Sequence, residues 1–120
     1  MANFKIYAKG RRPPGVMNSL ETKYANYLET LKNDGEILWW AYEGIRLRLA
    51  KNTTYTPDFF VMTKDGELQV WETKGGIWTA ESRVKIKVAA EMYPFRFFGV
   101  QWKKKQWKVE EFSSNEKTDE

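Results

Sequence analysis

The stretch YTPDFFVMTKDGELQVWETKG, residues 55–75, is the part of the chain from which the fold can be worked out. Two apolar runs flank a Lys-Asp-Gly sequence at 64–66, a pattern typical of a β-hairpin. Asp58, Glu72 and Lys74 lie within or beside these runs, where a small protein would ordinarily place apolar or neutral side chains. The hairpin therefore carries charge close to the centre of the predicted sheet.

The length of the turn decides which of these side chains meet. A two-residue loop places Asp58 opposite Thr73 and turns Glu72 to the other face of the sheet. A three-residue loop, with Gly66 in the left-handed conformation as a bulge, places Asp58 opposite Glu72, and Lys74 then shares their face. We predict the three-residue loop, because aspartate followed by glycine suits it and because it gathers the three charges together.

Two carboxylates brought together on central strands repel each other unless a cation joins them. Mg²⁺ prefers oxygen ligands, usually one or two carboxylates with water and phosphate oxygens. A lysine beside such an ion can orient or deprotonate an attacking water. The set Asp58, Glu72 and Lys74 thus suits metal-assisted phosphodiester hydrolysis. The alternative is a cross-strand salt bridge of Lys74 with either carboxylate on an ordinary sheet.

The same residues carry a family resemblance. Pro57-Asp58, then thirteen residues, then Glu72-Thr73-Lys74 resembles the motif of the PD-(D/E)XK nuclease superfamily. The fuller strings YTPDF and ETKG are similar to those of small phage-encoded endonucleases and of the Holliday-junction-resolving endonucleases of tailed phages. The resemblance extends over most of the chain, about residues 18–112.

The resemblance implies a restriction-endonuclease-like α/β (α+β) fold, a mixed sheet flanked by helices. It implies that Asp58 and Glu72 hold Mg²⁺ or Mn²⁺, that the Thr73 carbonyl is a further ligand and that Lys74 is catalytic. Glu21 matches a glutamate that the superfamily often adds from its first helix. The implied partner is duplex or branched DNA. A homodimer would fit the resemblance, because resolvases cut two strands. The implied setting is the cytoplasm of a bacterial host, as a phage or prophage protein.

Composition narrows the chemistry further. The 120-residue chain has no cysteine and no histidine, which excludes zinc fingers, thiol catalysis, Ser-His-Asp triads and histidine-dependent nucleases. The lack of cysteine fits a reducing cytoplasm. No apolar run reaches transmembrane length, so we expect no membrane partner. The net charge of +4 is compatible with a polyanionic partner.

The chain divides into a basic arm at residues 1–17, a single domain at 18–112 and a polar tail at 113–120. The arm contains Arg11 and Arg12 and no acidic residue. It is either a DNA-contacting segment or a solvated terminus.

The first predicted helix runs from Asn18 to about Lys32. Its buried stripe is expected to contain the residues at helical spacing, Leu20, Tyr24, Leu28 and Leu31. Asn18 and Glu21 form a capping-box pattern, so Glu21 is either a helix cap or, as the resemblance implies, a metal ligand.

The second predicted helix begins after Thr79 and ends near Tyr93, before Pro94. Its apolar stripe is expected at Val84, Val88 and Met92, with Ile86, Ala89 and Tyr93 nearby. Arg83 and Lys87 share a face, where they contact either DNA or solvent.

The remaining strands are predicted in residues 36–50, 95–102 and 107–112. Residues 51–54 are expected to form a polar loop before the hairpin. The resulting order of helix, strands, hairpin, helix and strands predicts a mixed sheet with packed helices.

The residues therefore favour a Mg²⁺- or Mn²⁺-dependent endodeoxyribonuclease. Two alternatives stay open: a non-catalytic nucleic-acid-binding module with a degenerate nuclease fold, and an interaction protein with a structural salt bridge. The sequence does not indicate which DNA structure is the substrate, or whether the substrate is DNA or RNA.

Overall fold

The computed structural model describes residues 15–113. The first fourteen residues of the predicted basic arm, including Arg11 and Arg12, and residues 114–120 of the predicted tail lie outside the described part. The described part has an α+β fold, as predicted. Its two helices are α1 (Ser19–Asn33) and α2 (Ala80–Met92). Its strands are β1 (Ile37–Tyr42), β2 (Leu47–Ala50), β3 (Thr53–Tyr55), β4 (Phe59–Thr63), β5 (Leu68–Lys74), β6 (Arg96–Lys103) and β7 (Gln106–Phe112).

Five strands form one mixed sheet in the order β1-β4-β5-β6-β7, while β2 and β3 form a separate two-stranded sheet. Strands β5 and β6 are parallel because α2 connects them, and the other pairs of the large sheet are antiparallel. Helix α1 contacts β1 and β5, whereas α2 contacts the two-stranded sheet and strands β6 and β7. The prediction of a mixed sheet flanked by helices is confirmed.

The predicted register of the β4–β5 hairpin is confirmed. Phe59 pairs with Trp71, and the Thr63 N–H donates a hydrogen bond of 2.9 Å to the Glu67 carbonyl. The loop between them has three residues and ends at Gly66, whose φ is +87°. Glycine is required there because other residues rarely adopt a positive φ. One step beyond the Phe59 pair, this register places position 58 opposite position 72.

Helix α1 also follows its prediction. Asn18 caps it, and both hydrogen bonds of the capping box with Glu21 are present. Tyr24 and Leu28 are buried against the sheet. The Tyr24 ring contacts the rings of Phe59 and Trp71, at centroid distances of 5.5 and 5.8 Å. Burial of these large rings stabilises α1 on one face of the sheet and holds its N-terminus beside the end of β5.

Helix α2 has the predicted extent, but the prediction of its buried face is wrong. Val84 and Met92 are 58% and 52% exposed. The buried residues are instead Ile86, Ala89 and Ala90. Ile86, Ala89 and Ala90 belong to one buried cluster with the rings of Phe97 and Phe112, and small alanine side chains let the helix lie close to such rings.

The polar loop predicted at 51–54 is also only partly correct. Lys51 and Asn52 form a turn, with Asn52 at a φ of +62°, but Thr53 already begins β3. Its pairing places Tyr55 opposite Leu47, and both side chains are buried. A short sheet with a buried inner face thus replaces part of the predicted loop and fixes the position of Tyr55.

Candidate metal centre

The candidate site lies at the end of the sheet where strand β5 ends and strand β4 begins. The buried Pro57 directly precedes Asp58, and Glu72 and Lys74 are near the end of β5. Because β5 and β6 are parallel, with Lys74 paired to Gln101, the last residues of β6 lie at this end too. The alternation of side chains along β5 places Glu72 and Lys74 on one face.

Asp58 is a buried carboxylate held by its neighbour across the hairpin. It is 9% exposed. Its Oδ2 atom accepts hydrogen bonds from the Thr73 backbone N–H at 2.9 Å and from the Thr73 hydroxyl at 2.8 Å. These two bonds fix the direction of the carboxylate at the start of β4.

Glu72 is held in the same manner through its Oε1 atom. This oxygen accepts hydrogen bonds from the Tyr55 hydroxyl at 3.0 Å and from the Asp58 backbone N–H at 3.2 Å. Within residues 15–113, no hydrogen bond reaches Asp58 Oδ1 or Glu72 Oε2. Each carboxylate thus has one oxygen oriented by the protein and one oxygen that can coordinate a ligand.

The electrostatics of the pair are unfavourable without a cation. Burial, then the neighbouring Glu72 and Glu21 carboxylates, raise the pKa of Asp58 to about 8, although the Thr73 hydrogen bonds oppose the change. Burial also raises the pKa of Glu72, with Lys74 and the Tyr55 hydroxyl opposing. A buried acid, Asp58, and a partly buried one, Glu72, whose pKa values are both raised, are a donor set that a divalent cation would stabilise in the ionised form. The residues present therefore fit a hard, oxygen-preferring ion.

Lys74 does not form the cross-strand salt bridge considered above. Among the described residues it makes no ion pair with Asp58 or Glu72, although it is close enough to oppose the rise in the pKa of Glu72. Its Nζ atom lies 5.1 Å from the ring centroid of Trp78. The amine thus lies at the site without direct ionic contact to either acid.

Glu21 lies beside the pair and has other partners. Its Oε1 atom accepts hydrogen bonds from the Asn18 backbone N–H and from the Tyr42 hydroxyl, both at 2.9 Å. The Glu21 charge still contributes to raising the pKa of Asp58 and of Glu72. The capping role is thus present in the structure, and a ligand role stays a prediction.

Considered alone, the described residues contain no group of three or more acidic, histidine or cysteine side chains arranged to hold a metal ion. A metal at this site would therefore rely on the two carboxylates of Asp58 and Glu72. Its remaining ligands would come from the Thr73 carbonyl, Glu21, water and substrate oxygens, and one or two carboxylates completed by water and substrate oxygens are common for Mg²⁺.

The residues predicted to contact DNA are only partly brought to this end of the sheet. Arg83 forms a bidentate ion pair with Glu110, with contacts of 3.2 and 2.6 Å, and its guanidinium lies over the Trp78 ring. Lys87 is exposed further along α2 and forms no salt bridge with another described residue. Arg11 and Arg12 lie outside the described residues.

Two tyrosines of the site received no role from the sequence. Tyr55 binds Glu72 and Tyr42 binds Glu21, and burial raises the pKa of both hydroxyls, which stay protonated donors. For Tyr55 a signal existed, since it lies three residues before Asp58 in the quoted YTPDF string. For Tyr42 no local pattern pointed to the site.

Comparisons of this chain with protein-family models, with curated proteins and with solved structures found no match. Neither described helix is long and apolar enough to cross a membrane.

Proposed function

We propose that the protein is a Mg²⁺- or Mn²⁺-dependent endodeoxyribonuclease of the PD-(D/E)XK type. The observation that carries the proposal is the convergence of Asp58 and Glu72 at one end of the sheet, with Lys74 beside them and in no ion pair with another residue of the described range 15–113. Each acid has an oxygen free of hydrogen bonds from described residues. A structural salt bridge would instead pair Lys74 with an acid, and residues 15–113 contain no such pair.

In the proposed mechanism, Asp58, Glu72 and the Thr73 carbonyl hold the ion, with Glu21 as a candidate further ligand. The bound ion would supply Lewis-acid stabilisation of the charge that develops on the phosphate and on the departing 3′-oxygen. Thr73 and Tyr55 keep the two carboxylates in fixed directions, so little rearrangement is needed on binding.

Lys74 would position the attacking water for in-line attack on phosphorus and accept or share its proton. Its neighbour Trp78 limits the directions that the amine can take, because the Nζ atom lies over that ring.

The substrate we propose is DNA, duplex or branched, with Holliday junctions included. The setting we propose is phage DNA processing in the cytoplasm of a bacterial host, with a homodimer where two strands are cut. These assignments rest on the resemblance of the Pro57-Asp58 and Glu72-Thr73-Lys74 motif.

The test is cleavage of labelled duplex, single-stranded and four-way-junction DNA in Mg²⁺, in Mn²⁺ and in EDTA. We expect cleavage in either metal and none in EDTA. Lys74→Ala should lower the rate constant of cleavage by about 10²- to 10⁴-fold and leave Mn²⁺ affinity within about twofold, because the lysine acts on water and not as a ligand. Lys64→Ala, at the opposite end of the hairpin, is the control.

If the wild-type protein binds DNA but cuts none in either metal, the protein is a nucleic-acid-binding module and the nuclease proposal is wrong. Cleavage that survives Lys74→Ala at the wild-type rate would remove the role proposed for that residue.

A further inference from the structure

A groove of about 480 Å³ opens next to the candidate metal centre. It lies between the segment that follows β5 and the end of β6, and Trp78, which contacts Lys74, forms part of its wall. Its lining residues are Gly76, Ile77, Trp78, Arg83, Gln101 and Lys103. The Gln101 side chain donates a hydrogen bond to the Gly76 carbonyl and so ties the two walls together. The groove thus adjoins the site through Trp78, whose ring lies next to the Lys74 amine.

Ile77 is the least buried large apolar side chain of the described residues. It is 94% exposed, whereas the other exposed large apolar side chains are between 38% and 58% exposed. It lies three residues beyond Lys74, directly after Gly75 and Gly76. A side chain of this type in this position contributes nothing to the core, and truncating it should leave the fold unchanged.

The groove and its border are positively charged. Lys103 and Arg83 line it and no acidic residue does, although the Arg83 charge is balanced by its ion pair with Glu110. The turn that follows adds Lys104 and Lys105, and in the described part of the chain none of these three lysines forms an ion pair. Three neighbouring lysines that form no ion pair with other described residues favour the binding of a polyanion. They lie at the same end of the sheet as Asp58 and Glu72.

The volume of the groove decides which part of a nucleic acid can occupy it. It falls in the range of about 300–1,000 Å³ found for sites that bind one small molecule, so it suits one nucleotide and is too small for stacked base pairs. Proteins that open DNA insert apolar side chains such as isoleucine between bases, and proteins that bind single strands combine a basic groove with aromatic contacts. In this groove Ile77 is the apolar side chain, Lys103 supplies a basic group and Trp78 supplies the aromatic ring.

We propose that this groove receives one unstacked nucleotide of a DNA strand, with Ile77 packed against its base where stacking is interrupted. The position of that nucleotide next to the scissile phosphate rests on the proposed function, but the recognition itself does not require cleavage. DNA with a branch or a single-stranded end should therefore bind better than an intact duplex, because its bases are already unstacked there.

The test is fluorescence anisotropy of the full chain in EDTA, so that no DNA is cut. The probes are a four-way junction, a single strand and an intact duplex of matched length, each labelled with fluorescein. Ile77→Ala should weaken binding of the junction and of the single strand about tenfold and leave the duplex within about twofold. Leu38→Ala, an apolar residue 54% exposed on β1, is the matched control and should change none of them.

A second measurement reports whether the base at the branch point is stacked. With 2-aminopurine at the branch point, wild-type protein should increase the fluorescence as the base leaves the stack, and Ile77→Ala should not. Lys103→Ala should weaken binding of all three DNAs and reduce the salt dependence by about one phosphate contact. Lys64→Ala, at the far end of the sheet, serves as the control for a lost lysine.

The proposal is overturned if Ile77→Ala binds all three DNAs like wild type, or weakens all three equally, or changes only self-association of the protein. A protein that cuts no DNA but shows Ile77-dependent binding of the junction would refute the nuclease function alone. Metal-dependent cleavage without any Ile77 effect would refute this inference alone.

Discussion

The replacement Asp58→Asn keeps the size of the side chain and removes its charge, so it isolates the electrostatic cost of the site. Burial, with the Glu72 and Glu21 carboxylates, raises the pKa of Asp58 from 3.8 to about 8. Between these two pH values the folded protein retains a proton that the unfolded chain has released. By linkage, the free energy of unfolding must then fall as the pH rises from about 4 to about 8.

The size of the effect follows from the same values. One pH unit corresponds to about 1.4 kcal/mol, so the upper limit over the whole interval of about four units is about 6 kcal/mol. The amide oxygen of asparagine can still accept both Thr73 hydrogen bonds, and its NH₂ can donate to Glu72. We therefore expect Asp58→Asn to be more stable than wild type by about 2–4 kcal/mol at pH 8 and equally stable near pH 4.

The assay is urea unfolding in EDTA at several pH values between 4 and 8, followed by tryptophan fluorescence. Asp65→Asn, in the exposed hairpin turn, is the control and should follow wild type. Addition of Mn²⁺ at pH 7.5 should stabilise wild type, by about 2.7 kcal/mol at one hundred times its Kd, and not Asp58→Asn. A wild-type protein whose stability is constant over this range, or an Asp58→Asn protein that is weaker at pH 8, would refute the reasoning.

Two further changes test the surroundings of the site. Tyr55→Phe removes the hydroxyl that donates to Glu72 Oε1. It should weaken Mn²⁺ binding about tenfold in a calorimetric titration. It should also raise the pKa of Glu72, so that the acid limb of the metal-binding profile moves to higher pH. Unchanged affinity would show that the hydrogen bond does not orient the acid. Gly99→Ala would place a Cβ atom 2.3 Å from the Trp78 ring. It should lower the free energy of unfolding by about 1–3 kcal/mol, whereas Gly76→Ala, with nothing within 4 Å, should change it by less than about 0.5 kcal/mol. Equal stability of the two glycine variants would contradict the close packing of Trp78.

The hairpin was predictable because its register depends on local chemistry. Aspartate followed by Gly66 selects the three-residue loop, and the loop alone then determines that Asp58 faces Glu72. The first helix was predictable for the same kind of reason, since Asn18 and Glu21 form a reciprocal cap within four residues. Local signals of this kind need no information from the rest of the fold.

The parts that were missed depend on contacts between distant segments. The buried face of α2 follows from the shape of the rings beneath it, so Ala89 and Ala90 are buried and Val84 is not. The YTPDF string places Tyr55 near Asp58 in the sequence, but its contact with Glu72 depends on the pairing of β3 with β2, which the string does not reveal. Periodicity identifies an apolar face only when one face is clearly richer than the others, and α2 has apolar residues on two.

The arrangement of charges at the site is itself an argument for a bound cation. Thr73 and Tyr55 donate hydrogen bonds to the two acids, yet the pKa values of Asp58 and Glu72 stay raised. If the acids were structural, an ion pair with Lys74 at hydrogen-bonding distance would neutralise them most simply, and the ion pairs of the described residues do not include it. Two oriented acids that form no ion pair within residues 15–113 thus favour an external cation, and Lys74 is then available for water and phosphate.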